Sequence, residues 1–177
     1  MKFLFGLACT ASLLFAAPIL ARTAATKTAA PAVDQQLDGR YDPGNPFARI
    51  IRGELPADKV YEDADVVAFL SRDQNAPGHV LVISRTSRAR NILDISPADL
   101  TRVMMVVQRV ARAERIALGA DGLIVRQNNG AAAGQTVFHL HVHVIPCWNG
   151  KPPSFARDRN GQLDRKALAA RIASAMR

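Results

Sequence analysis

Cysteine, aromatic side chains and acidic residues are all scarce in this chain. Its two cysteines, Cys9 and Cys147, cannot make a disulfide framework. Aromatics make up 6% of the 177 residues, and no lysine–arginine run is interleaved with them. A stacking platform for single strands is therefore excluded, and no nucleic acid partner is expected. Acids are outnumbered 15 to 23 by lysine and arginine, giving a formal charge of +8. A surface of that sign attracts anions. The hydrophobic content of 49% is enough for one domain with a real core.

Beyond the N-terminus no apolar run is long enough to span a bilayer. The N-terminus itself reads "MKFLFGLACTASLLFAAPILA": one lysine, an apolar run, then small residues. This is the layout of a secretory signal peptide over residues 1–21, and it predicts a periplasmic or secreted protein with no membrane contact after processing. Cys9 leaves with the signal, and Cys147 remains as a single thiol. Residues 22–45, rich in alanine, threonine, proline and glycine, read as a flexible linker. The domain is expected over 46–147, with a C-terminal extension over 148–177 that ends in a helix, "DRKALAARIASAM".

Within the domain, "PFARIIRGELP" predicts a short helix closed by Gly53 and Pro56. "KVYED", "DVVAFLS" and "HVLVIS" predict three strands joined by turns. The clearest element starts at Ser96: an N-cap serine, Pro97 at the first helical position and Asp99 three residues on. Its apolar face is read as Leu100, Val103, Met104, Val107, Val110 and Ala111, and Gly119 ends it. Two more strands are expected in "DGLIVRQNN" and "VFHLHVHVI", on either side of the loop "GAAAGQT". Short turns between neighbouring strands favour an α+β fold, an antiparallel sheet of about five strands with a long helix packed on one face.

Three of the four histidines fall in "FHLHVHVIP" at alternate positions. Strand alternation would send His139, His141 and His143 to one face and Leu140, Val142 and Val144 to the other. Three imidazoles in a row suit either an open zinc set or phosphoryl chemistry, with histidine as nucleophile and proton carrier. No Asp or Glu occurs between Gly122 and Cys147 to orient metal-bound imidazoles. What precedes the strand is "NNGAAAGQT", whose glycines and neutral donors read as an anion cradle. The balance favours phosphate, with no metal ligands assigned; a zinc-dependent hydrolase is the alternative.

"HLHVHVI", together with "NNGAAAGQTVFHLHVHVIP", "APGHVLVIS" and "IIRGELPADKVYEDADVVAFL", resembles the histidine-triad (HIT) proteins over residues 46–146. That resemblance implies a nucleotide hydrolase or transferase acting at an α-phosphate of dinucleoside polyphosphates or nucleoside phosphoramidates. His141 would be the nucleophile, forming a covalent nucleotidyl-histidine. The carbonyl of His139 would orient it, and the side chains of His139 and His143 would hold phosphate and leaving group. Asn128, Gly134, Gln135, Thr136 and His79 would line the substrate pocket. Imidazolium and amide donors would stabilise the transition state. The triad needs no cofactor, although a divalent cation can accompany the nucleotide, and a homodimer and a non-catalytic nucleotide-binding protein are both compatible. The sequence departs from the family pattern where a zinc-binding Cys-x-x-Cys is common, here Asn45 and Ala48, and where a ribose-binding acid is common, here Ser71, followed by Arg72 and Asp73.

Overall fold

The computed structural model describes residues 37–151 and 164–176. The signal-like segment and most of the linker read from the sequence lie outside the described residues. Five strands form one antiparallel sheet: β1 (Lys59–Glu62), β2 (Val66–Leu70), β3 (Val80–Ser84), β4 (Gly122–Arg126) and β5 (His141–Cys147). Their order is β1-β2-β3-β5-β4, so the last strand slots between the third and the fourth. That insertion places the histidine strand next to the centre of the sheet, with a neighbour on each side.

The sheet is apolar on both faces, and the period of two sorts its residues. Val66, Ala68 and Leu70, Val80 and Val82, and Val142 and Val144 share one core with Leu140. Two helices cover it, α2 (Pro97–Leu118) and α3 (Arg165–Ala175). The opposite face carries Val67, Phe69, Leu81 and Ile83, capped by Phe47 and Ile50 of the short helix α1 (Pro46–Ile51). The α+β arrangement expected from the turns is the one found. The histidines emerge on the α1 face, beside that smaller core.

Helix α2 begins as its capping residues dictate: Ser96 Oγ accepts from the Asp99 amide at 3.1 Å. It ends on Gly119 at φ +64°. Its buried face differs by a rotation from the expected one. Val106, Ala113, Glu114 and Ala117 are inside with Val103, Val107 and Val110, whereas Met104 is exposed. Packing against both the sheet and α3 widens the apolar stripe towards 106, 113 and 117 and leaves the Met104 edge outside.

Two further expectations change. The strand does not start at 137: β5 begins at His141. Before it, the Leu140 amide donates to the Ala89 carbonyl at 2.9 Å, and the buried Gln135 amide donates to the carbonyls of Arg90 and Val137. This segment is therefore tied to the loop after β3 and not to a sheet neighbour. Likewise, the chain from Leu37 to Asn45 is not a free linker. The Leu37 carbonyl accepts from Asn91 Nδ2 at 2.7 Å, and Asn45 is buried as the N-cap of α1.

The turn into β3 shows how tightly the two faces are coupled. Gly78 has φ +96°, and a Cβ there would sit 2.4 Å from Leu118 Cδ1. The bend that delivers His79 to the site therefore favours glycine, because any other residue would be strained at this φ and would displace Leu118.

Candidate active site

A cavity of about 380 Å³ opens on the α1 face, within the size range of small-molecule sites. Apolar walls come from Phe47, Ile50, Leu55, Phe69 and Leu81, and the polar part from Ser71, Arg72, Asp73, Asn75, Arg126 and Thr136. His79, His141 and His143 line it, as does Gly134.

His141 and His143 stand next to each other on β5, ring centroids 4.9 Å apart. The His141 Nδ1–H donates to the carbonyl of His139 at 2.8 Å. A carbonyl can only accept, so the proton sits on Nδ1 and Nε2 keeps its lone pair. The ring is held edge-on by Phe47, 5.0 Å away centroid to centroid. Burial pushes the His141 pKa below its usual value, so the ring is neutral at pH 7. This is the protonation state a nitrogen nucleophile needs.

His143 is hydrogen-bonded through Nδ1 to His79 Nε2 at 2.8 Å. The other nitrogen of His79 lies 3.0 Å from the Asp73 carbonyl and 3.3 Å from the Asn75 amide. One tautomer serves the carbonyl and the other the amide, so both contacts cannot be made at once. The shorter carbonyl contact sets the donor direction: His79 Nδ1–H to Asp73, His143 Nδ1–H to His79. The Nε2 of His143 is then left as an acceptor. Burial holds the His79 pKa at about 4 and that of His143 at about 3.

His139 does not join the row. It precedes β5, is 2% exposed and does not line the cavity. Its Nε2–H donates to the Ser84 carbonyl at 3.1 Å, and its Nδ1 accepts from the Tyr41 hydroxyl at 2.7 Å. Both ring nitrogens are thus committed to the scaffold. The side chain expected to help hold phosphate is thus placed outside the cavity wall, and it ties down the segment whose carbonyl accepts from His141.

The glycine loop also departs from its reading. Gly130 and Gly134 have φ of +78° and +82°, and a short 3-10 turn runs between them. The amides of Ala133, Gly134 and Gln135 donate to carbonyls of Gly130 and Ala131, and the Gly130 amide donates to Gln135 Oε1. The amides of Gly130, Ala133, Gly134 and Gln135 are thus spent on the loop's own shape. Gly134 and Thr136 form part of the cavity wall. Gln135 is 2% exposed and locks the loop, and Asn128 Nδ2 donates to the Ala133 carbonyl behind it.

Among the described residues no three His, Cys, Asp or Glu groups are placed to hold a metal ion. Asn45 spends its side-chain oxygen on the amides of Phe47 and Ala48, each at 3.0 Å. His139 offers no free nitrogen, and His79 and His143 are turned to each other. Ser71, at the position of the missing acid, is 5% exposed and donates its hydroxyl to the Asp73 carbonyl at 2.9 Å. Its own carbonyl accepts from Arg165 of α3 at 2.9 Å, so the C-terminal extension braces this wall.

Two residues that no motif singled out now matter: Tyr41 and Arg126. Tyr41 reaches His139 across 98 positions of chain, which no local pattern can show. Arg126 is opposite His143 in the β4–β5 register, and only the strand order puts it there. Its charge lowers the pKa of His79, His141 and His143, behind the larger effect of burial. The expected imidazolium donors are accordingly neutral imidazoles, and the fixed cations at the cavity are arginines.

A family model for the HIT domain matches residues 52–149. The chain is similar to a solved Hit-like protein from Bartonella henselae, described as involved in cell-cycle regulation. Identity is 41%, covering 77% of this chain and 99% of that one, with a TM-score of 0.70. It is also similar to a Zn-bound histidine triad family protein from Mycobacterium smegmatis, at 37% identity, 75% and 93% coverage and a TM-score of 0.68. A sequence relative from Arabidopsis thaliana, adenylylsulfatase HINT3, is 36% identical over 100 residues, 56% of this chain and 50% of that protein.

Proposed function

The chain belongs to the HIT family, and from that premise we propose that it is a nucleotide hydrolase or transferase working through a nucleotidyl-His141 intermediate. One observation carries the reading: a neutral imidazole whose Nδ1–H is fixed on the His139 carbonyl, with its other nitrogen free in a cavity lined by both apolar and cationic groups. Nε2 attacks the α-phosphorus, the bond to the leaving group breaks, and water then releases the nucleoside monophosphate from His141. Phe47, Ile50 and Phe69 suit a nucleobase, while Ser71 and Asp73 flank the sugar. The signal-like N-terminus points to nucleotides outside the cytoplasm as the substrate pool.

The test is an acid quench during turnover of an α-labelled nucleotide substrate. Label should stay on the denatured protein and be lost with H141A. Full turnover with no labelled protein would sink the covalent route, and binding with no turnover would favour the non-catalytic reading.

The same proposal includes a two-fold pair. β4 is an edge strand with Val125 48% exposed, and Met105 and Ile116 of α2 are also exposed. Unpaired strand edges and exposed apolar side chains are both features of self-association surfaces. Wild type should sediment as a dimer and V125K as a monomer; a monomeric wild type would refute it.

A further inference from the structure

The polar part of the cavity contains a cation that the triad chemistry does not use. Arg126 is the cross-strand partner of His143, and neighbours so paired share a face of the sheet. Arg126 is one of the residues that line the cavity. Its Nε is shielded from solvent and has no hydrogen-bond partner among the described residues. A buried guanidinium N–H without an acceptor is costly, and a phosphate or sulfate oxygen would satisfy it.

The site's other resources define what that cation is for. The amides of Ala133, Gly134 and Gln135 are occupied within their own loop. His143, in the hydrogen-bonded arrangement with His79, presents an acceptor to the cavity. Burial also makes it a weak proton source at neutral pH. An amine leaving group must take up a proton to depart, which a guanidinium does not supply. A phosphate or sulfate leaves as a stable anion and needs only its growing charge matched.

We propose that Arg126 binds an anionic leaving group beside His143, making mixed anhydrides of a nucleoside monophosphate with phosphate or sulfate the preferred substrates over phosphoramidates. This rests on the nucleotidyl-transfer reading above. In the step, the Nε2 lone pair of His141 forms an N–P bond to the α-phosphorus. The bridging P–O bond breaks, its electron pair stays on the leaving oxygen, and the departing phosphate or sulfate gains one negative charge next to the guanidinium. Water then attacks the phosphorus, the P–N pair returns to His141, and a nucleoside monophosphate and a proton are released.

The experiment compares kcat/KM for wild type, R126M and R126K on diadenosine tetraphosphate, adenosine 5′-phosphosulfate and adenosine 5′-phosphoramidate. Wild type should favour at least one anhydride by about tenfold or more. R126M should lose about 100-fold on that anhydride, the scale of one lost transition-state donor. It should change less than about fivefold on the phosphoramidate, and R126K should recover part of the loss. Equal losses on all substrates would move Arg126 to the α-phosphate and overturn the assignment. So would a wild type that prefers the phosphoramidate. A folded wild type that cleaves none of the three would instead overturn the hydrolase reading, and this proposal with it. Thermal melts of the two variants establish that they fold.

Discussion

H141A should lose turnover by about 10⁴-fold or more in kcat, while the protein remains folded. The size follows from losing the nitrogen assigned the attack. His143 is turned through Nδ1 to His79, and His139 is locked between Tyr41 and Ser84. The structural cost is limited. The His139 carbonyl loses its donor, worth about 1–3 kcal/mol, and Phe47 loses a ring contact. A domain with two helices packed on one face and a second core on the other can absorb that. Single-turnover measurements and a thermal melt check both halves. Residual activity above about 1% of wild type, in a folded variant, would mean that another group attacks.

E114M should raise stability, and more so as the pH rises. Glu114 lies on the core face of α2, 0% exposed, and neither carboxyl oxygen has a hydrogen-bond partner among the described residues. Burial lifts its pKa from the ordinary 4.5 to about 9. The folded state therefore keeps a proton that the unfolded chain gives up. Stability is fully present below pH 4.5 and declines by about 1.4 kcal/mol per pH unit until the folded pKa is reached. At pH 7 the accumulated cost is about 3 kcal/mol. Methionine is of similar length, has no charge to desolvate and matches the apolar neighbours. Melting curves at pH 5 and pH 8.5 should differ, with E114M ahead of wild type by on the order of 10 °C at the higher pH. A gap that did not change with pH would show that the carboxyl is not the source. The buried histidines act with the opposite sign. Their lowered pKa values keep stability above about pH 6.5 and remove it as the pH falls towards 4, as the unfolded chain takes up protons first.

Much of the fold was legible because its signals are local. The Ser96–Asp99 cap and Gly119 marked α2 at both ends, and valine-rich runs marked β2 and β3. The differences between the sequence reading and the structure have a common cause. Gln135, Asn128 and the loop amides looked like phosphate donors because residue type reveals capacity and not whether it is already used. His139 looked like a member of a row because alternation assumes that the strand continues, and a hydrogen bond from Leu140 to Ala89 ends that assumption. Met104 looked buried because the helical period fixes the width of a stripe but not its rotation.

By itself the sequence determined the family, the α+β sheet and the histidine strand, since spacing and turn chemistry act over a few residues. The tertiary structure decided how each imidazole is held, because that depends on a carbonyl, a tyrosine and a second histidine brought in by the fold. It also decided the charge of the site. Burial neutralises the histidines, and the pairing of β4 with β5 supplies Arg126, a cation whose place beside His143 follows from strand order alone.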